Sequence, residues 1–85
     1  MRLVIKKAAA KTLRRMQSKV ATAIIAEMER IAAEPFDRHP QAKPLKGLAG
    51  MFRLRHGDWR AVYRIDRVAE TVSLEDVRKR EEAYR

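Results

Sequence analysis

The fold of this chain is decided by the stretch Lys43-Pro-Leu-Lys-Gly-Leu-Ala-Gly-Met-Phe-Arg-Leu-Arg-His-Gly-Asp-Trp-Arg-Ala-Val-Tyr63. In its second half, apolar Phe52 and Leu54 alternate with Arg53 and Arg55. Because successive side chains of a strand point to opposite faces, the two arginines are expected side by side, about 7 Å apart, on one surface. The stretch therefore predicts a strand with an apolar face and a basic face.

The residues after it continue the same pattern. His56-Gly57-Asp58 predicts a hairpin turn, since glycine adopts positive φ without strain. In Trp59–Asp66, apolar residues again alternate with Arg60 and Arg64, and Thr71–Val77 reads as a third strand. We therefore expect a three-strand antiparallel meander in the C-terminal half.

The N-terminal half has a different period. Arg2–Ile5 is a short β-branched run typical of a strand, and from Ala8 onward apolar residues recur every three or four positions, as on one face of a helix. Ser18 is a predicted N-cap, which gives a helix near residues 8–16 and a longer one near 18–33, ended by Pro35. Residues 35–50 contain all three prolines and two of the three glycines and predict an irregular connection.

Together these elements predict an α+β fold. An N-terminal strand and two helices pack on an antiparallel sheet that the C-terminal meander completes. At 85 residues the chain has room for one hydrophobic core, so we expect a single domain over residues 1–85.

Charge and composition narrow the class of partner. A formal charge of +9 favours a polyanion, with nucleic acid first and an acidic protein second. The chain has no cysteine, which excludes thiolate catalysis, and no apolar run approaches the roughly 20 residues of a membrane span. His39 and His56 lack neighbours at ligand spacing, so we expect neither a metal site nor a cofactor. A cytoplasmic protein that does not bind membranes is the expectation.

Three motifs carry a resemblance to a known family. They are Lys-Pro-Leu-Lys-Gly-Leu at 43–48, Phe-Arg-Leu-Arg-His-Gly-Asp-Trp-Arg-Ala-Val-Tyr at 52–63 and Val-Arg-Lys-Arg-Glu-Glu-Ala-Tyr-Arg at 77–85. In this order, the motifs resemble the RelE/ParE superfamily of bacterial toxins from type II toxin–antitoxin systems. The resemblance covers essentially the whole chain and includes the order of strands and helices.

The resemblance implies a toxin that a cognate antitoxin neutralises. In the RelE branch such a toxin is a ribosome-dependent endoribonuclease that cleaves mRNA in the ribosomal A site and inhibits translation without a metal. In the ParE branch it acts on DNA gyrase instead. An inactive relative that only binds nucleic acid is the third reading, and we favour the RelE branch because of the basic tail.

The resemblance also implies roles for named arginines and lysines. Arg60 and Arg80 match arginines of the RelE motif, and a guanidinium fork suits the extra negative charge of a phosphorane transition state. Arg53 and Arg55 stand where the best-known members have lysines, and we interpret them as phosphate clamps. Lys43 and Lys46, in the preceding connection, are further RNA-binding residues, one on each side of Pro44 and Leu45.

Acid and base roles remain open between several residues. Tyr84 matches a tyrosine near the end of the family motif, and neighbouring guanidinium groups favour its phenolate, so it is a predicted general base. Glu75 or Asp76 is the alternative base, because adjacent strand residues face opposite sides and one of them reaches the site. Lys79 is the predicted acid for the leaving group.

Overall fold

Two helices and five strands make up the described part of the chain. The computed structural model of this protein describes residues 1–79. Its elements are β1 (Arg2–Ile5), α1 (Lys7–Arg15), α2 (Ser18–Ala33), β2 (Ala42–Pro44), β3 (Met51–His56), β4 (Trp59–Asp66) and β5 (Thr71–Lys79). The predicted strand, helix pair and meander are all present, in the predicted order.

The strands form one mixed sheet in the order β1-β5-β4-β3-β2. β3, β4 and β5 pair antiparallel, as predicted, whereas β1 pairs in parallel with β5. The α+β class is therefore confirmed, but the expected antiparallel sheet has one parallel edge. Local alternation could not show this, because it reports which face a side chain takes and not the direction of the neighbouring strand.

A short strand lies inside the connection that we expected to be irregular. β2 pairs antiparallel with β3, with Ala42 opposite Leu54, Lys43 opposite Arg53 and Pro44 opposite Phe52. A proline is tolerated here because β2 is an edge strand of the described sheet. Three residues are too few to show a period of two, which is why the sequence did not reveal this strand.

The break between the helices lies one residue earlier than predicted. Gln17, not Ser18, is the N-cap of α2, and its backbone carbonyl accepts hydrogen bonds from the N–H groups of Val20 and Ala21. No side chain caps this helix start. α2 ends at Ala33, which agrees with the predicted stop before Pro35.

The helices cover one face of the sheet and leave the other uncovered by any described element. Tyr63, Leu54, Leu74 and Val77 of the sheet are nearly fully buried against Ile24 and other residues of the helical stripe. Phe52 stacks on Tyr63 with ring centroids 5.3 Å apart, on the same face. The alternate residues of β3 and β4, including their arginines, therefore lie on the opposite face.

Candidate nucleic-acid interface

Three arginines stand in one line across the uncovered face. Arg55 of β3 lies directly opposite Arg60 of β4, which in turn lies opposite Arg78 of β5. Cβ atoms of directly opposite residues are about 5 Å apart. We call Arg55, Arg60 and Arg78 the arginine row. A two-residue turn at the end of β3, with Gly57 at φ 56°, fixes the register that aligns Arg55 with Arg60.

Further basic residues extend from the row along the strands. Lys43 lies opposite Arg53, and Arg53 lies opposite Val62 in the line next to the arginine row. Arg64 follows in the next line, opposite Met51. We call this surface the open face; its basic residues are Lys43, Arg53, Arg55, Arg60, Arg64 and Arg78.

A β-bulge places two carboxylates on the open face. The register between β4 and β5 shifts between Val62 and Tyr63, so Val62 lies opposite Asp76 while Tyr63 lies opposite Leu74. Leu74 and Val77 are 0% and 1% exposed, and both belong to the core although two residues separate them. The expectation that Glu75 and Asp76 face opposite sides was therefore wrong, because the bulge residue breaks the alternation.

Each of these carboxylates has a defined hydrogen-bond partner. The hydroxyl of Ser73 donates to Glu75 Oε2 at 2.6 Å. Asp76 accepts from Arg78 Nε at 2.6 Å and from the backbone N–H of Val77 at 3.0 Å. The Asp76 contact orients the guanidinium of Arg78 and offsets part of the positive charge of the row.

The arginine row concentrates positive charge across three neighbouring strands. Like charges directly opposite on neighbouring strands destabilise a sheet. An anion that bridges the guanidinium groups reverses the sign of this effect, because arginine pairs bidentately with phosphate oxygens and stays charged at any physiological pH. The row therefore has the chemistry of a phosphate-binding site.

Lys79 lies on the other side of the sheet from the arginine row. It stands opposite Trp59, and its Nζ is 5.8 Å from the centroid of the Trp59 ring, on the face that the helices cover. The structure therefore does not bring Lys79 together with Arg53, Arg55 and Arg60. Its catalytic role remains a prediction.

Arg78 is a residue of the open face that the sequence analysis did not predict. The predicted third strand ended at Val77, whereas β5 continues to Lys79. Extending the alternation by two residues would have placed Arg78 beside Arg60. The strand continued past the point where its apolar residues stop, and that is why Arg78 was missed.

Two predicted residues lie outside the described part of the chain, and another lies far from the row. Arg80 and Tyr84 follow Lys79, the last described residue, so their proposed roles stay predictions. Lys46 lies in the turn that precedes Met51, which is four residues before Arg55 on β3. At the strand rise of about 3.3 Å per residue, this turn is at least about 13 Å from the arginine row.

Other titratable groups are engaged elsewhere. Burial raises the pKa of Tyr63 to about 12, so this phenol is protonated at neutral pH and is no base. His56 Nδ1 contacts Glu27 Oε1 at 2.9 Å, and His39 Nε2 contacts the carbonyl of Glu34 at 2.7 Å. Among residues 1–79 no group of three potential metal ligands is present.

The fold has clear relatives among solved structures. A chain of the RelBE2 toxin–antitoxin complex from Mycobacterium tuberculosis is 28% identical, with a TM-score of 0.74 over 93% of this chain and 96% of that one. The isolated E. coli RelE toxin superposes with a TM-score of 0.80 at 21% identity, covering 98% and 89% of the two chains. The YoeB/ParE toxin from Agrobacterium tumefaciens gives 0.76 at 23% identity, covering 93% and 98%.

A family model defines the class more closely. The model of the ParE toxin of type II toxin–antitoxin systems, parDE, matches residues 3–84. The protein is a toxin of a type II toxin–antitoxin system, and it belongs to the RelE/ParE superfamily that its sequence motifs resemble. No protein of curated function matches it. None of the helices within residues 1–79 is long and apolar enough to cross a membrane.

Proposed function

We propose that this toxin is a ribosome-dependent endoribonuclease that cleaves mRNA in the ribosomal A site and so inhibits translation. The observation that supports this activity best is the arginine row with two carboxylates beside it, on a face that no described element covers. Metal-free RNA cleavage requires concentrated positive charge at the scissile phosphate together with groups that transfer protons. The open face offers both types of group.

The arginines bind and stabilise the reacting phosphate in this proposal. As the ribose 2′-oxygen attacks phosphorus, negative charge grows on the non-bridging oxygens, and donors fixed in place stabilise that charge more than they stabilise the substrate. Arg60, in the middle of the row, and Arg80 are the proposed catalytic arginines. Arg53 and Arg55 hold the neighbouring phosphates, with Lys43 beside Arg53 and Lys46 at the far end of the face.

Proton transfer is assigned to a tyrosine and a lysine in this proposal. Tyr84 is the proposed general base and Lys79 the proposed acid. Glu75 and Asp76 are the alternative bases, and their position on the open face supports either of them. A carboxylate base requires Arg78 to exchange Asp76 for a phosphate oxygen when RNA binds, or Glu75 to give up the hydroxyl of Ser73.

The class of type II toxins indicates which partners this protein has in our proposal. A cognate antitoxin is the proposed protein partner, because chains of similar fold occur in RelBE complexes and a +9 toxin requires masking. The ribosome and its mRNA are the proposed targets. This places the toxin, a single domain over residues 1–85 in this proposal, in the cytoplasm, with no membrane and no cofactor involved.

The test is reverse-transcription mapping of mRNA ends in a purified translation reaction, with and without ribosomes. We expect cuts within A-site codons that appear only when ribosomes are present. Arg60→Ala should lower the cleavage rate by about 10²- to 10³-fold, as loss of one oxyanion donor does elsewhere. Arg14→Ala, an exposed substitution on α1 that removes the same charge, is the matched control and should retain activity.

Variants of the proton-transfer residues separate the candidate bases. Tyr84→Phe should abolish the cuts if the phenol is the base, whereas loss confined to Glu75→Gln or Asp76→Asn would assign a carboxylate. Full activity in a variant that combines Tyr84→Phe with Arg60→Ala would refute the proposed site. Circular dichroism of each variant shows that the fold is intact.

A second function is favoured by one specific finding. The matching family model is that of the ParE toxin, so gyrase is the alternative target. A ParE-type toxin predicts inhibition of DNA supercoiling by purified gyrase and no mRNA cuts. The two assays, run on the same preparation, give opposite results for the two functions, and failure of both would favour an inactive relative that binds nucleic acid.

A further inference from the structure

A second basic surface lies on the helix side of the sheet, at the same end as the arginine row. α1 packs beside the second half of β5 and leaves a groove of about 410 Å³ between helix and strand. Lys11, Arg15 and Lys79 line this groove together with Trp59 and with Arg78 of the arginine row. We call it the α1–β5 groove; the role proposed for the arginine row does not involve Lys11, Arg15 or Trp59.

The groove has the electrostatics of an anion site. Lys11 and Arg15 are four residues apart and therefore lie on one side of α1, and both are exposed. Asp76 is the one acidic residue among the described residues that line the groove. Its carboxylate is held by Arg78 and by the backbone N–H of Val77, so it does not neutralise the helix cations.

Trp59 gives the groove a second recognition element. Its ring is partly buried against the core, lines the groove and has the ammonium group of Lys79 5.8 Å from its centroid. An aromatic ring flanked by cations is how proteins hold single-stranded nucleic acid, with a base stacked on the ring and phosphates on the cations. Every nucleotide carries both a phosphate and a flat base, whereas an acidic protein segment has a ring to stack on the indole only where it contains an aromatic residue.

The groove is adjacent to the arginine row through the strand ends. Trp59 precedes Arg60 on β4, and Lys79 follows Arg78 on β5, so neighbouring residues serve opposite faces of the same sheet end. Arg78 belongs to the arginine row and also lines the groove, so the two sites meet at this residue.

We infer that the α1–β5 groove is a binding site for one nucleotide of single-stranded RNA, with the base against Trp59 and its phosphate between Lys11, Arg15 and Lys79. This inference rests on the proposed function in so far as the RNA is the strand held by the arginine row. The groove then extends the substrate footprint past the cleaved bond.

The sole tryptophan of the chain, Trp59, makes binding directly observable. We would titrate the whole protein with an oligouridylate of about six nucleotides and record tryptophan emission. Stacking should quench the emission saturably. Combining Lys11→Gln with Arg15→Gln should weaken binding about tenfold and reduce the slope of log K against log salt by about 0.7, which is the contribution of one phosphate contact to a single strand.

The matched control removes two exposed cations away from the groove. Arg30→Gln combined with Arg38→Gln changes one cation in the last turn of α2 and one in the connection that follows it, and neither residue lines the groove. The affinity should stay within about twofold, because distant charges are screened in physiological salt. In anisotropy measurements with labelled RNA, Trp59→Leu should weaken binding about tenfold and Trp59→Tyr should retain it.

Three outcomes would overturn the inference. The first is an equal loss of RNA affinity in both charge variants. The second is RNA binding, detected by anisotropy, without any change in Trp59 emission. The third is displacement of the RNA by oligoglutamate of equal length at equal concentration, which would indicate a site for an acidic protein. Arg60→Ala should lower the cleavage rate by about 10²- to 10³-fold and leave the quenching intact. Quenching without any mRNA cuts would therefore refute the proposed activity alone, and cuts without quenching would refute the groove alone.

Discussion

Among single residues, burial sets the acid–base chemistry of Tyr63. Tyr63 is 2% exposed and stacks on Phe52 inside the core. The loss of hydration disfavours its phenolate and raises the pKa to about 12. Tyr63 is therefore excluded as the base of the proposed reaction, and the role of Tyr84 stays a prediction.

The shifted pKa of Tyr63 predicts how stability depends on alkaline pH. An unfolded phenol loses its proton near pH 10, and the folded one near pH 12, so between these values the folded state binds the additional proton. The free energy of unfolding should therefore fall by about 1.4 kcal/mol per pH unit in this window. Tyr63→Phe should remove this part of the decline.

Urea unfolding at pH values across the window measures this contribution. Lysines titrate in the same range, so the informative quantity is the difference between the native protein and Tyr63→Phe. The free energy of unfolding of the native protein minus that of Tyr63→Phe should stay constant below pH 10 and fall by about 1.4 kcal/mol per pH unit above it. Parallel curves for the two proteins would show that burial does not shift the phenol.

At the scale of elements, the bulge in β5 decides which side chains reach the open face. Ala61 opposite Val77 and Tyr63 opposite Leu74 both lie in the core, and the additional residue between Leu74 and Val77 is accommodated as a bulge. The bulge allows two adjacent carboxylates to share one face without removing an apolar residue from the core.

Deletion of Glu75 should be tolerated for the same reason. With Glu75 removed, Asp76 alone separates Leu74 from Val77, and the regular alternation returns with every core residue still facing the helices. We expect a folded protein with a free energy of unfolding within about 1 kcal/mol of the native value. Thermal and urea unfolding followed by circular dichroism provide the measurement.

A deletion in a regular part of the ladder is the matched control. Arg64 lies in a regular part of β4, where no bulge can compensate for the loss of a residue. Its deletion therefore turns the core residues on one side of the gap to the open face. This variant should fail to fold. If both deletions unfold the protein equally, the bulge is not what absorbs the change in register.

The charges of the arginine row affect stability and RNA binding in opposite directions. Arg55 is exposed and lies directly opposite Arg60, and replacing it by threonine removes the repulsion and introduces a residue with high strand propensity. Arg55→Thr should raise the free energy of unfolding by about 0.5 kcal/mol and weaken RNA binding. Urea unfolding and anisotropy measure the two effects.

Arg64 provides the comparison for this prediction. It is also exposed on the open face, but its neighbours across the sheet are Met51 and Ser73, which carry no charge. Arg64→Thr should give no comparable gain in stability. A gain as large as that of Arg55→Thr would attribute the effect to strand propensity instead of to the row.

At the scale of the whole molecule, a net charge of +9 on 85 residues opposes compaction and attracts polyanions. Screening by salt reduces the repulsion without any specific site. A multivalent phosphate that binds to the arginine row stabilises the protein more than salt screening does, because a ligand that binds only the folded state raises the free energy of unfolding.

Inorganic pyrophosphate tests this distinction. At low millimolar concentration it should raise the unfolding temperature by several degrees above a chloride solution of equal ionic strength, since about 1 kcal/mol corresponds to roughly 4–8 °C in a domain of this size. Combining Arg55→Thr with Arg60→Thr should remove the excess. Differential scanning calorimetry gives the measurement, and an unchanged excess would place phosphate binding away from the row.

Local patterns in the sequence were enough to predict the class of the fold, the order of most elements and the family. Alternation fixed that Arg53, Arg55 and Arg60 lie opposite the apolar face, because side-chain direction in a regular strand depends only on local geometry. The helical stripe fixed which face of α2 is buried. These features follow from periods of two and 3.6 residues, which are visible without any tertiary contact.

Tertiary structure decided everything that depends on two distant segments meeting. The parallel pairing of β1 with β5, the short edge strand β2, the alignment of Arg78 with Arg60 and the bulge at Glu75 arise from register between strands. So does the separation of Lys79 from the arginine row. Register is a property of the pair of strands and of the core that they enclose, and for that reason no local pattern in the sequence contained it.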